Sequence, residues 1–178
     1  SPGDYVVAAS RWSVDGLQNI EKLMFRAARL REDAYPVEPE LAERLANAAA
    51  KHGANWFECH ALVDLEQATK VADEMLFGQL EEDFLDYVEE VRRQNEDRAD
   101  LQLRNLRRHL ENQRRRLQEV RNLHRIRGRD SLVKATEGRI QALESRVERQ
   151  ELAIEGRRAI RWRSDEVLVA VIRLTDDS

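Results

Sequence analysis

The chain has 178 residues, of which 36% are charged and 6% are aromatic, a balance that suits exposed helices better than one large rounded core. The single cysteine, Cys59, excludes an intramolecular disulfide framework and a multi-cysteine zinc site, and it is typical of a reducing, cytoplasmic compartment. No apolar run approaches the roughly 20 residues of a membrane span, so no membrane partner is expected.

The formal net charge of −4 hides a strong segregation of charge along the chain. Residues 1–91 hold 8 basic and 19 acidic residues, whereas residues 92–129 hold 13 basic and 5 acidic residues. The chain begins without an initiator Met, which favours a piece of a longer protein. The basic block is the part of the sequence that most needs an explanation.

The first 79 residues predict a small helical bundle that is preceded by a short strand. The apolar run Tyr5–Ala9 is typical of a strand. Residues 17–30 carry apolar side chains at helical spacing, and a second helix is expected from Pro39 to Ala50, where Gly53 follows. A third helix is expected from about Asn55 to Met75.

Residues 80–160 predict a long antiparallel coiled-coil hairpin. No Pro or Gly occurs between Leu80 and Ile126. Two series of core positions alternate steps of three and four residues, on either side of a short loop at Gly128. In the register that we expect, Leu117 faces Ile140. The first series is Leu103, Leu106, Leu110, Gln113, Leu117, Val120 and His124; the second is Val133, Thr136, Ile140, Leu143, Val147, Gln150 and Ile154.

Residues 161–178 predict a terminal strand and tail, because Val167–Ile172 is rich in β-branched residues. This strand and the one at Tyr5–Ala9 lie at opposite ends of the sequence, and they are expected either to pair or to join a sheet elsewhere. The fold class predicted overall is mainly α: a small N-terminal helical bundle plus a long antiparallel coiled-coil hairpin, with short terminal β-strands.

Catalytic motifs are missing from the sequence. It contains no phosphate-binding glycine loop, nucleophile elbow or His-Glu-x-x-His helix, so no cofactor is expected and the chain is predicted not to be an enzyme. The nearest alternative is Cys59 and His60, with Asp64 on the same helical face as His60, but a metal site there lacks further ligands. His109 and His124 have no evident catalytic partner. The tryptophans Trp12, Trp56 and Trp162 are expected to anchor packing.

Arginines near the hairpin loop are the main candidate binding residues. Arginine pairs bidentately with phosphate oxygens, so this cluster predicts contact with nucleic acid or with an acidic protein surface. The alternative is a solvated flank that is neutralised by glutamates of the returning helix, such as Glu137 and Glu144. The candidate polyanion-binding residues are Arg114, Arg115, Arg121, Arg125, Arg127 and Arg129.

Three short stretches resemble the C-terminal coiled-coil segment of bacterial Swi/Snf-type helicase-like ATPases. They are Arg98-Ala99-Asp100, Leu110–Arg114 and Ala135–Glu144, with Glu166-Val167 of the last strand also similar. The resemblance covers roughly residues 80–174 and implies a DNA-translocating motor whose ATPase domains lie upstream. It carries over no catalytic residue, because none of the motor's nucleotide-binding motifs is present.

Two functions follow as expectations. The first is a non-catalytic C-terminal accessory module of a bacterial helicase-like DNA translocase, which contacts DNA, a partner protein or the motor domains. The second is a self-contained coiled-coil scaffold that mediates protein–protein interaction or dimerisation. The sequence leaves the oligomeric state and the identity of the partner open.

Overall fold

The structure is a computed structural model that describes residues 2–31 and 33–175. Its elements in chain order are β1 (Gly3–Asp15), β2 (Asn19–Arg29), β3 (Tyr35–Pro36), α1 (Pro39–His52), α2 (Cys59–Leu62), α3 (Leu65–Val71), a π-helical turn (Ala72–Leu76), α4 (Phe77–Ile126), α5 (Asp130–Gly156) and β4 (Arg161–Leu174). The helix from α3 through the π-helical turn to α4 is continuous over about 62 residues.

A β-hairpin replaces the first predicted helix. Strand β2 pairs along its whole length with β1, from Tyr5 opposite Arg29 to Asp15 opposite Asn19. The helical spacing of apolar residues in 17–30 was misleading because a paired neighbouring strand outweighs local propensity. The dipeptide Asp15-Gly16, a typical hairpin-turn signal, lies where the chain reverses.

The predicted fold class is therefore wrong in its N-terminal part. In place of a helical bundle with short terminal strands, the structure has a four-stranded antiparallel sheet in the order β3-β2-β1-β4. The terminal strands are long: β1 has 13 residues and β4 has 14. Ion pairs at both ends, Arg11 with Asp165 and Asp4 with Arg173, agree with β4 lying antiparallel to β1.

Helix α1 begins at the predicted residue, Pro39, and ends at His52. The third predicted helix is divided, because α2 ends at Leu62 and α3 starts only at Leu65. Asp64 is the N-cap between them, where its side chain accepts a hydrogen bond of 3.0 Å from the backbone N–H of Gln67.

Contacts divide the chain into two compact units. The sheet unit contains the described residues up to Asp15, residues Asn19–Glu90, and the described residues from Trp162 onwards. The coiled-coil unit contains Gly16–Gln18 and Val91–Arg161, so helix α4 contributes residues to both.

The sheet unit has a dense core in which most residues of β1 are buried. Phe84 of α4 is 1% exposed, and its ring centroid lies 5.3 Å from that of Trp12 and 5.7 Å from that of Trp162. A second cluster joins the sheet to α1 through Tyr5, Val7, Ala27, Ala42 and Leu45. Because aromatic side chains bury a large apolar area, we expect this cluster to contribute much of the stability of the sheet unit.

A regular interval of four residues marks the buried side of the long helix within the sheet unit. The buried residues are Ala68, Ala72, Leu76, Leu80, Phe84 and Val88. Because four residues exceed the roughly 3.6 of an α-helical turn, such a stripe drifts around a regular helix. The π-helical turn at Ala72–Leu76 widens one turn and reduces that drift.

The coiled-coil unit packs α4 and α5 antiparallel along a narrow seam. Three ion pairs join them at matched intervals of seven residues: Arg107 to Glu151, Arg114 to Glu144, and Arg121 to Glu137. The pairing agrees with the hairpin expected from the two seams. The buried residues of the seam are Ala99, Leu103, Thr136, Ile140, Leu143 and Val147.

Candidate nucleic-acid interface

The loop between α4 and α5 is a tight reversal that depends on one glycine. Gly128 has a φ of +62°, a left-handed conformation that glycine adopts without the strain of a Cβ. The backbone N–H of Arg129 donates to the carbonyl of His124 at 2.9 Å, which closes the end of α4. The reversal places the arginines at the end of α4 beside the first turn of α5.

Glutamates of α5 pair with half of the six candidate arginines. Arg114 lies 3.2 Å from Glu144, while Arg121 and Arg125 each lie 3.9 Å from Glu137. A single carboxylate thus serves two guanidinium groups at the loop end. These three side chains hold the two helices together as well as contributing positive charge.

The other three candidate arginines are exposed, and no ion pair engages them within residues 2–31 and 33–175. They are Arg115 on α4 and Arg127 and Arg129 in the loop. Arg104, Arg108 and Arg116 of α4 are likewise exposed and have no ion pair in the described part of the chain. Because α-helical residues four and seven apart share a face, Arg104, Arg108 and Arg115 form a stripe on α4.

Sequence reasoning missed the contribution of α5. Its glutamates were expected to neutralise the arginines of α4, but α5 also presents Arg139, Arg146 and Arg149 to solvent. The signal was in the sequence, because these residues lie outside the three-four positions of the seam. The basic surface therefore includes both helices of the hairpin.

The two structural units carry net charges of opposite sign. The coiled-coil unit holds 20 basic and 11 acidic residues, a formal net charge of +9. The rest of the chain holds 10 basic and 23 acidic residues, a formal net charge of −13. The boundary between the units thus coincides with a change in the sign of the net charge, and the exposed basic residues are concentrated on the coiled-coil unit.

A polar clamp fixes the other end of the coiled-coil unit. Asn95 is 5% exposed, and its side-chain amide donates to the carbonyls of Arg157 and Arg158 at 3.0 and 2.7 Å. Its Oδ1 accepts from the backbone N–H of Leu17 at 2.8 Å. A Cβ on Gly16 would come within 2.7 Å of this oxygen, so the turn after β1 needs its glycine.

Arg158 strengthens the same end of the unit. Its guanidinium donates to Glu155 at 2.8 Å and to Asp100 at 2.7 Å. The hydrogen bonds to Glu155, and next those to Asp100, raise the pKa of Arg158 above its ordinary value. Together with Asn95, this arginine joins the end of α5 to α4.

The alternative site at Cys59 and His60 is not assembled as predicted. His60 lies on α2, whereas Asp64 caps α3, so the two do not share one helix face. Among the residues that the structure describes, no group of three or more His, Cys, Asp and Glu side chains is placed to hold a metal ion. Cys59 is a free, half-buried thiol. No described helix is long and apolar enough to span a bilayer.

Comparisons with known proteins found no match for this chain. No family model, no curated protein and no solved structure matches the chain. The Swi/Snf-type resemblance thus rests on its short stretches of sequence alone.

Proposed function

We propose that this chain is a non-catalytic accessory module whose arginine-rich coiled-coil unit contacts nucleic acid. The observation that carries the proposal is the net charge of +9 on that unit, which includes exposed arginines without an ion-pair partner in the described part of the chain. Such residues carry no neutralising partner that a phosphate group would first have to displace.

The arrangement suits the phosphate backbone rather than base edges. Arg104, Arg108 and Arg115 recur along one helix face, and each guanidinium presents a fork that matches phosphate oxygens. Contacts of this kind carry no sequence information. Binding by the chain alone is accordingly non-specific, with a Kd of about 10⁻⁴–10⁻⁶ M at physiological salt.

A charge-matched pair of variants tests the proposal. The first replaces Arg115, Arg127 and Arg129 by Gln. The control replaces three exposed cations of the sheet unit by Gln and therefore removes the same charge. They are Arg44, Lys51 and Lys70. Fluorescence anisotropy with labelled duplex DNA at low salt is expected to show weaker binding for the first variant and near wild-type binding for the control. Equal losses in both variants would indicate only a general charge effect and would remove the proposal.

The larger context follows from the resemblance. A module of this kind is expected to work beside the ATPase domains of a cytoplasmic, bacterial helicase-like translocase, where it holds DNA while the motor hydrolyses ATP. We expect that the chain by itself neither binds nor hydrolyses ATP. A longer sequence of the same protein that lacks nucleotide-binding motifs would remove the helicase context and leave the nucleic-acid contact to be judged separately.

A second candidate function is docking to an acidic protein surface. Exposed apolar side chains lie beside the loop arginines: Leu123 is 51% exposed and Ile126 is 82% exposed. Apolar side chains beside cations favour a partner that is both acidic and apolar, and they gain little from phosphate. Replacing Leu123 and Ile126 by Ser should leave DNA binding unchanged if the first proposal holds. If the variant instead loses a partner in affinity capture and wild-type DNA binding is absent, the scaffold function takes precedence.

A further inference from the structure

Strand β4 leaves a long edge of the sheet open. In the sheet order β3-β2-β1-β4, its single neighbour within the described residues is β1. The outer backbone N–H and C=O groups of an edge strand are a template for another strand. β4 has 14 residues, so the open edge is more than twice as long as an ordinary strand.

The centre of this edge is apolar on both faces of the sheet. Val167, Leu168 and Val169 are 47%, 46% and 42% exposed. Since successive side chains of a strand point to opposite faces, three consecutive exposed residues mean that neither face is covered at this point. The run Val167–Ile172 contains six apolar residues and no charge.

The opposite edge of the sheet is protected in the ways that natural proteins use. β3 has only two residues, one of which is Pro36. The adjacent strand β2 carries the exposed charged side chains Glu21 and Lys22. Short edge strands, prolines and charges all discourage pairing with another chain. β4 has none of these in its central run, so its edge is open to pairing where the other is closed.

The charges that flank the run are complementary under two-fold symmetry. An antiparallel pair of identical edge strands has its two-fold axis perpendicular to the sheet, so the axial residue faces its own copy. With Val169 on the axis, Val167 faces Val171 and Asp165 faces Arg173, and each pair occurs twice. Opposite charges directly across from one another favour this register, and parallel in-register pairing would set like charges together.

We propose that the β4 edge binds a second copy of this chain, with Val169 on the two-fold axis of a continuous eight-stranded sheet. Asp165 keeps its intrachain partners Arg11 and Arg163, and Arg173 keeps Asp4. Asp165 and Arg173 extend these ion pairs across the interface. Both intrachain arginines contact Oδ2 of Asp165, at 3.1 and 3.0 Å, so Oδ1 offers the acceptor positions for an arginine of the second copy. This dimer does not depend on the nucleic-acid contact of the hairpin.

Sedimentation equilibrium of the full chain over a range of concentrations tests the dimer. Wild type is expected to show a concentration-dependent dimer. Val169→Lys sets two like charges against each other on the axis, and it is expected to raise the dimer dissociation constant about tenfold or more. The matched control is Leu85→Lys, at a helix residue of the same unit that is 48% exposed, and it should leave the dimer intact.

A cysteine scan tests the register. In a Cys59→Ser background, Val169→Cys places two thiols directly opposite each other, and mild oxidation is expected to yield a covalent dimer. Leu168→Cys places its thiol opposite Ala170, so it should cross-link far less. A wild-type chain that stays monomeric at all concentrations would overturn the proposal, whether or not a different protein binds this edge. If the Val169→Lys variant still forms the dimer, the interface lies on another surface, and the proposal is equally overturned.

Discussion

The sheet unit and the coiled-coil unit are built on different physical principles. In the sheet unit, most of β1 is buried, and the rings of Trp12 and Trp162 pack against that of Phe84. In the coiled-coil unit, a narrow seam of aliphatic residues is flanked by charged side chains and by ion pairs between the helices. The first carries a net charge of −13 and the second +9.

On our proposal, the deep core that stabilises the sheet unit and the surface that contacts nucleic acid lie in different regions of the chain. A unit with a deep core does not need its surface charges for folding, whereas a coiled coil uses part of its flanking charge to fix register. In this protein the ion pairs use only some of the arginines. The remainder form the surface that we propose for nucleic acid.

The largest expected effect is the loss of the aromatic core. Phe84→Ala should lower the free energy of unfolding by about 3–5 kcal/mol, because it leaves a cavity between Trp12 and Trp162. Urea denaturation followed by tryptophan fluorescence measures it. Leu85→Ala, next in sequence but 48% exposed, should change stability by less than about 0.5 kcal/mol. Similar losses for both variants would show that Phe84 is not the centre of this core.

The seam should be less sensitive to the same kind of truncation. Leu143 is 6% exposed, and Leu143→Ala should cost about 2–3 kcal/mol, at the low end for a buried leucine, because a two-helix seam relaxes around a cavity more easily than a sheet core. Leu152→Ala, on the same helix but 68% exposed, is the control. Thermal denaturation followed by the helical circular dichroism signal gives both values. A cost for Leu143→Ala above that of Phe84→Ala would reverse the comparison.

The polar clamp of the coiled-coil unit should have an intermediate effect. Asn95→Ala removes three part-buried hydrogen bonds, at a cost of about 1–3 kcal/mol. Asn95→Asp keeps the acceptor for Leu17 but sets a carboxylate against two carbonyl oxygens, so it should be no more stable than Asn95→Ala. Chemical denaturation of both variants measures this. A fully stable Asn95→Asp protein would show that the amide donors are dispensable.

The smallest expected effect concerns the ion pairs across the hairpin. Arg114 and Glu144 are 53% and 40% exposed, so their interaction should contribute about 0.2–1 kcal/mol after screening by solvent. A double-mutant cycle with Ala at each position isolates this interaction free energy. Repeating the cycle at high salt should reduce it further. A coupling of several kcal/mol would mean that the ion pairs, and not the apolar seam, hold the hairpin together.

The sequence predicted the coiled-coil hairpin far better than the sheet. A seam is a local pattern, because each helix carries its own three-four repeat and Gly128 marks the reversal. The sheet depends on distant partners, since β1 must find β4 after more than a hundred residues. The segment 17–30 shows the difficulty: its apolar spacing fits a helix, yet its partner β1 makes it a strand.

The candidate site was predictable only in outline. Composition showed that the arginines cluster near the loop, but it gave no way to tell Arg115, which has no ion pair in the described structure, from Arg114, which pairs with Glu144. That distinction depends on which face of α4 each residue occupies relative to α5. The open edge at β4 was equally unpredictable from the sequence, because the exposure of Val167–Val169 depends on the order of the strands in the sheet.

Photo-cross-linking from matched positions tests the central claim most directly. A benzophenone amino acid is placed at Asn112, an exposed residue of α4 between Arg108 and Arg115, or at Asn47, an exposed residue of α1 in the acidic sheet unit. With labelled duplex DNA at low salt, the account predicts a strong cross-link from position 112, little from position 47, and loss of the first as salt rises. Equal cross-linking from both positions, or cross-linking from position 47 alone, would contradict it.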